Sequence, residues 1–312
     1  MRYLVTGGAG FIGSHLAEAL SKGNEVVVLD NLSSGKREFI KPLEKGKGFE
    51  FVKGDLLKPK DVEKALEGVD FVYHIAANPD IRYGISVTDT DLKQGTVATY
   101  NLLEAMRKAG VGKIAFSSSS TVYGEPSVVP VPEDYGPLMP ISLYGASKLG
   151  AEGLITSFSH TFDMQAWIFR FANVIGPRGT HGVIFDFIQK LKGDPKNLEI
   201  LGDGTQSKSY LMVDDVVDAM RFGVAKSRAQ TNIYNLGAMN WVTVARIGEI
   251  VVEECGLKKV KINYTGGKRG WKGDVPKIML DPAKMAKLGW KASRTSEASV
   301  RLATKSLVKE LW

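Results

Sequence analysis

One stretch near the start of the chain, Thr6-Gly7-Gly8-Ala9-Gly10-Phe11-Ile12-Gly13, narrows the possible folds more than any other. It follows an apolar run, Tyr3-Leu4-Val5, and precedes an amphipathic run with Leu16, Ala19 and Leu20 on one helical face. That order predicts a strand, a tight glycine turn and a helix start. Glycines at 7, 10 and 13 let the backbone turn sharply, approach a pyrophosphate and pack helix against strand. The helix start then offers free N–H groups and a positive dipole end to phosphate oxygens. The next strand, Val26-Val27-Val28-Leu29, ends on an acid, Asp30. A carboxylate there hydrogen-bonds ribose hydroxyls and repels a 2′-phosphate, which selects NAD over NADP. Lys36 and Arg37 nearby leave NADP as the alternative.

The remainder of the first half repeats the strand–helix alternation. Phe49-Glu50-Phe51-Val52 reads as a strand and Asp61 to Leu66 as a short helix. Phe71 to Ile75 is a strand running into Ala76-Ala77, whose small side chains let a cofactor lie close. A long helix is expected from about Asp89 to Lys108, then a strand at Ile114-Ala115-Phe116, a helix from Leu143 to Ser159 and a strand from Ala166 to Phe171. Such alternation makes an α/β fold with a doubly wound parallel (Rossmann) sheet, whose ligands sit beyond the carboxyl ends of the strands. Beyond Asn173, glycine and proline break the chain into shorter elements. The expected division is an NAD-binding domain over 1–172, joined by part of 210–240, and a smaller α/β substrate-binding domain over 173–312.

Composition excludes several classes. No apolar run reaches the roughly 18 residues of a membrane span. The chain opens directly on a core strand, so no signal or transit peptide is expected. One cysteine, Cys255, permits no internal disulfide and fits a reducing cytoplasm. The four histidines (15, 74, 160 and 181) lack metal-ligand spacing, and no metal site is expected. The net charge of +7 is scattered, and its densest cluster, Lys258-Lys259-Val260-Lys261, reads as a solvated face. No nucleic-acid motif accompanies it.

The chemistry centres on Tyr144-Gly145-Ala146-Ser147-Lys148, which sets a phenol and an ammonium at i and i+4 on one helix face. A tyrosine with a pKa of about 10 is a poor base at neutral pH. A neighbouring lysine cation favours the phenolate and makes it a better one. Tyr264 and Lys268 share the spacing, but Gly266-Gly267 between them marks a loop. Ser117-Ser118-Ser119 ends a parallel strand, where hydroxyls point into the ligand crevice.

With these residues the chain resembles the extended short-chain dehydrogenase/reductase family, and within it the nucleotide-sugar 4-epimerases. The matching stretches run over nearly the whole length. They are Thr6–Gly13, Asp30-Asn31-Leu32-Ser33-Ser34-Gly35, Phe116–Ser119 leading to Val122-Tyr123-Gly124, and Tyr144 with Lys148. Arg170-Phe171-Ala172-Asn173, Gly202-Asp203-Gly204-Thr205-Gln206 and Leu288-Gly289-Trp290 follow. The resemblance implies an isomerase that oxidises a UDP-hexose at C4, lets the 4-keto sugar rotate and reduces it on the other face. UDP-glucose and UDP-galactose are the implied pair, with UDP-uronates or UDP-N-acetylhexosamines as alternatives. A homodimer packed through the helices around 89–108 and 143–159 is also implied.

Residue by residue, the resemblance makes Tyr144 the base, Lys148 its electrostatic partner and Ser119 a hydrogen-bonding partner of the sugar C4 oxygen. Gly7, Gly10, Phe11, Ile12, Gly13, Asp30, Asn31, Ser33, Ser34 and Gly35 would line the cofactor. Asp55, Leu56, Ala76, Ala77, Ser117 and Ala172 would complete that side. Asn173, Lys208, Arg269 and Asp274 would meet the substrate diphosphate region, and the backbone near Val183 and Leu201 the uracil. The family usually has arginine where Lys208 stands, asparagine at Gly95, and an arginine where this chain has Trp271. The family's 4,6-dehydratases carry an Asp-Glu pair after the Ser119 position, and its decarboxylases a glutamate at Thr121. This chain has Ser120-Thr121, which disfavours both. Arg82 is the candidate cation for a uronate carboxylate, and Ile278 falls where side-chain bulk limits the C2 substituent. A catalytically dead NAD-binding sensor would lack the tyrosine–lysine pair, and here the pair is present.

Overall fold

The computed structural model describes all 312 residues. From the amino terminus run β1 (Arg2–Thr6), α1 (Phe11–Leu20), β2 (Glu25–Asp30), α2 (Arg37–Ile40), β3 (Phe49–Lys53), α3 (Pro59–Ala65) and β4 (Phe71–His74). Next come α4 (Tyr83–Ser86), α5 (Ala98–Ala109), β5 (Lys113–Ser119), α6 (Leu143–Thr161) and β6 (Gln165–Phe171). They are followed by β7 (Asn173–Ile175), α7 (Val183–Gly193), β8 (Asn197–Ile200), β9 (Ser207–Lys208), β10 (Tyr210–Met212), α8 (Val213–Lys226) and β11 (Thr231–Leu236). The chain closes with β12 (Val242–Thr243), α9 (Val244–Glu254), β13 (Lys261–Tyr264), β14 (Lys277–Ile278), α10 (Ala283–Leu288) and α11 (Ser296–Leu311).

The chain divides into two compact units. The first comprises Met1–Val122, Ser142–Arg170 and Val217–Tyr234. The second takes Tyr123–Ile141, Phe171–Val216 and Asn235–Trp312. A single cut after residue 172 therefore does not separate them. Residues 123–141 belong with the later half because Val131 donates its N–H to Met279 O and accepts from Asp281 N, while the Tyr123 hydroxyl donates to Asn235. Residues 217–234 lie in the first unit.

In the first unit the strand order is β11-β6-β5-β4-β1-β2-β3, a seven-stranded doubly wound sheet. β1 pairs in parallel with β2 and β4, β2 with β3, and β4 with β5. Parallel strands with helices on both faces are apolar throughout, as Val26-Val27-Val28-Leu29 is. Leu4, Val72, Ile114 and Ile168 pack on one side against Leu102, Leu103 and Met106 of α5 and Ile155 of α6. Each such buried side chain is worth about 1.5–3 kcal/mol. α5 stops at Gly110, whose φ of 70° lets its N–H reach the carbonyls of Met106 and Arg107. Ser142 starts α6 by accepting from Gly145 N.

The helix expected from Asp89 to Lys108 is not one regular element. Residues Leu92–Val97 form a π-helical turn before α5 begins. Gly95 is its centre: a Cβ there would stand 2.6 Å from the Ser147 hydroxyl oxygen of α6. Thr99 donates to Gly95 O at 2.6 Å, a carbonyl that also accepts from Ala98 N.

The second unit is built from small sheets, β10 with β7, β12-β9-β14, and β13 with β8. Its core lies among α7, α9 and α11, where Phe187, Ile188, Ile247, Ile250, Val300 and Leu307 are buried together. No helix of the protein is long and apolar enough to cross a membrane.

Candidate active site

The turn after β1 is shaped by backbone contact. A Cβ at Gly13 would lie 2.1 Å from Gly7 O, so only glycine lets α1 start this close to the turn. Gly10 caps α1 without a side-chain bond, leaving its first-turn amides of Phe11, Ile12 and Gly13 without a side-chain acceptor. Asp30 ends β2 beside this turn and accepts from Ala9 N at 2.9 Å and Leu32 N at 2.8 Å. Burial pushes its carboxyl up while those two amides pull it back. Gly35 packs against the same carboxylate. Asn31 donates to Asp55 and accepts from Ser33 N, which joins the ends of β2 and β3. Leu56 follows, its carbonyl held by Asn101. Ser34 is exposed on the same loop. Lys36 and Arg37, the cations weighed for a 2′-phosphate, are engaged by Glu38 and Glu44. This is a cradle that fits a dinucleotide whose adenosine ribose is unphosphorylated.

Ala76 and Ala77 leave β4 next to Gly7, and Ala76 N donates to the Thr6 hydroxyl. Behind them His74 is fully buried between two threonines. Thr99 gives its own proton to Gly95 O, so it accepts from His74 Nε2, and His74 Nδ1 accepts from Thr6. The ring is thereby held neutral, and burial with the Lys148 charge lowers its pKa to about 3. Ser117 donates to His74 O.

α6 carries Tyr144, Lys148 and Glu152 at i, i+4 and i+8, one face turned to the end of β5. The Lys148 ammonium is buried, donates to Ser117 O at 2.7 Å, and lies 5.6 Å from the Tyr144 ring centre. Burial lowers its pKa to about 7, against the opposing charges of Glu152 and Asp91. Tyr144 is partly exposed as a residue, but burial of its phenol and the Asp91 charge push its pKa up. The nearby Ser119 side chain pulls it back. The structure thus brings together Ser119, Tyr144 and Lys148. The decoy pair does not form: Tyr264 ends β13 over Gly204, and Lys268 lies in the loop beyond.

In the second unit, Lys208 on β9 meets Asp274 at 2.5 Å. Arg269 donates to Asp274 O and to Glu125, so both cations assigned to a diphosphate already have carboxylate or carbonyl partners. Asp274 is therefore the organiser of this cluster, and Gly270 beside it approaches Leu201. Asn173 donates to Ser209 O, next to Lys208. Val183 opens α7 and packs on the core of the unit. Ala172 donates its N–H to Leu236 O, tying the end of β6 to β11. Ile278 is buried on β14. Arg82, in the first unit, pairs with Asp80.

The model of the NAD dependent epimerase/dehydratase family matches residues 3–237. The chain belongs to this family. Among curated relatives, the UDP-glucose 4-epimerase of Mycolicibacterium smegmatis is 38% identical over 70% of this chain and 72% of its own. A crystal structure of a UDP-galactose 4-epimerase superposes with a TM-score of 0.89 at 41% identity, covering 100% of both chains. The Thermotoga maritima UDP-glucose 4-epimerase, solved with UDP-glucose, gives 0.89 at 33% identity, also over 100% of both.

Sequence reasoning overlooked several residues of the candidate site. Glu152 and Arg170 form a buried ion pair at 2.7 Å, and Glu152 also accepts from Ser118 at 2.5 Å. Its i+4 spacing from Lys148 was the available signal. Asp91, whose charge acts on both Tyr144 and Lys148, had none: it precedes the π turn and is 1% exposed.

Proposed function

We propose that this chain is an NAD-dependent 4-epimerase of UDP-hexoses, interconverting UDP-glucose and UDP-galactose. The observation that carries the reading is the buried Lys148 ammonium, 5.6 Å from the Tyr144 ring centre and fixed by the Ser117 carbonyl near the end of β5, the strand that Ser119 closes. Two hydroxyls so placed can share one sugar hydroxyl: Ser119 orients the C4 oxygen and Tyr144 takes its proton, then returns it. Lys148 supplies the positive charge that favours the phenolate, and its bond to Ser117 O fixes where that charge stands. NAD, when bound, supplies the acceptor and donor of hydride at the sugar carbon. The Gly7–Gly13 turn and the start of α1 would hold its pyrophosphate and Asp30 its adenosine ribose.

Ser120 and Thr121 follow Ser119 in a single 3-10 turn, and neither is a carboxyl acid or base. Loss of water from neighbouring carbons needs such a pair, which supports epimerisation over dehydration. The likeness to UDP-glucose and UDP-galactose 4-epimerases supports the substrate. Lys208 and Arg269, held by Asp274 and Glu125, are the groups proposed for the diphosphate. Exposed Leu92, Val97, Tyr100 and Leu143 give the helices of residues 92–109 and 143–161 a second apolar face, which supports a homodimer through them. The single cysteine suits a reducing, cytoplasmic setting.

The test follows the hydrogen. UDP-galactose deuterated at C4 should yield UDP-glucose that keeps the label, and reaction in heavy water should place no deuterium on carbon. Solvent deuterium on any ring carbon, read by proton NMR or mass spectrometry, would overturn the mechanism.

A further inference from the structure

Among the buried side-chain atoms without a hydrogen-bond partner, only one is a carboxylate oxygen, Asp91 Oδ2. Asp91 lies at the start of the π turn and is 1% exposed. Its other oxygen accepts from Asn78 Nδ2 at 3.0 Å. Gly84 of α4 makes room for the unpartnered one: a Cβ there would stand 2.6 Å from Oδ2 and 3.6 Å from Leu143 Cβ. The carboxylate is therefore lodged beside the first residue of α6, whose next residue is Tyr144. Other buried carboxylates are bonded through both oxygens, Glu152 to Arg170 and Ser118, and Asp30 to two amides. A buried anion with an empty oxygen is costly unless a cation compensates it through space. The buried cation within reach of its field is Lys148, which spends one hydrogen bond on Ser117 O.

We propose that Asp91 is the buried counter-charge of the Tyr144–Lys148 pair, a positioning residue that keeps Lys148 an ammonium ion and so sets the pH at which the pair passes its proton. This rests on the reading of Tyr144 and Lys148 given above. The groups facing the three are few. Asp91 faces Lys148 and Tyr144 on α6 and Asp80 in the loop before α4, itself paired with Arg82. Lys148 also faces Glu152, committed to Arg170, and His74, held neutral by its threonines. Tyr144 faces Ser119. Interacting groups lose their protons in steps that belong to the pair. Whichever member gives up the first proton, removing a nearby negative charge eases both losses.

The experiment compares wild type, Asp91→Asn and Asp91→Ser across the pH profile of kcat/KM for UDP-galactose, with Tyr144→Phe as reference. Both limbs should move to lower pH by about one unit, and by the same amount in the two neutral variants, which differ in shape. Tyrosinate difference absorbance against the Tyr144→Phe protein should shift in the same direction with no turnover involved. A uniform fall in activity with unmoved limbs, or a shift toward alkali, overturns the proposal. If either neutral variant fails to fold, the other carries the test. Should Tyr144→Phe turn over normally, the reading of the pair itself fails; should it be inactive while the Asp91 variants keep the wild-type profile, only the role of Asp91 does.

Discussion

Glu152→Ala should unfold the first unit more readily than any change at the surface of the site. Glu152 and Arg170 are almost without solvent, their side chains 6% and 4% exposed. The carboxylate accepts from Ser118 Oγ at 2.5 Å, Arg170 Nε at 3.0 Å and Arg170 Nη2 at 2.7 Å. Removing it takes the carboxylate away from a buried guanidinium, which costs about 3–5 kcal/mol. Against a total stability of about 5–15 kcal/mol, that is a large share. At about 2 °C per kcal/mol for a chain of this size, the thermal midpoint should fall by about 6–10 °C. The double variant Glu152→Leu with Arg170→Met removes both charges and keeps apolar volume, so it should recover most of the loss. Circular dichroism melts at one pH, with NAD held at the same concentration for every variant, decide it. A single variant that loses less than about 1 kcal/mol, or a double variant no more stable than the single, would refute a dominant role for the buried Glu152–Arg170 pair.

Three further outcomes are expected. Tyr144→Phe should cut turnover by about 10²-fold or more, while Tyr264→Phe stays within a few fold, measured as UDP-galactose consumed. Asp30→Ala releases the amides of Ala9 and Leu32, and should lower the NAD recovered from denatured protein and relax discrimination against NADP; recovery of NADP from wild type would contradict the role of that carboxylate. For the proposed homodimer, Tyr100→Glu puts a charge on the exposed apolar face of α5 and should halve the mass read by light scattering, without changing the circular dichroism spectrum.

Much of this site was legible in the chain because it rests on local rules. The turn after β1 is a backbone requirement written in glycine, and Asp30 is fixed by its place at a strand end. The helical spacing of Tyr144 and Lys148 sets their common face, whereas Gly266-Gly267 betrays the decoy. What escaped depends on partners far away in sequence. Nothing near Lys208 says that Asp274 holds it, or near Asp91 that its charge acts on Tyr144 and Lys148. The π turn at 92–97 was invisible because its close neighbour, the Ser147 hydroxyl against Gly95, sits on another helix. Helical periodicity counts residues per turn but does not register one widened turn.

The crossing of the chain between its two units has a consequence for anyone who cuts it. A fragment ending at residue 172 contains six of the seven strands and lacks the seventh, β11, which supplies the neighbour of β6. Its β6, Gln165–Phe171, is buried along nearly its whole length in the intact protein. In the fragment it becomes an open, apolar edge ready to pair with another copy. The same exposure exists for a nascent chain until residues 231–236 leave the ribosome. Expression of the first half alone should therefore end in aggregates, and a soluble nucleotide-binding module would need residues 217–234 joined back to it.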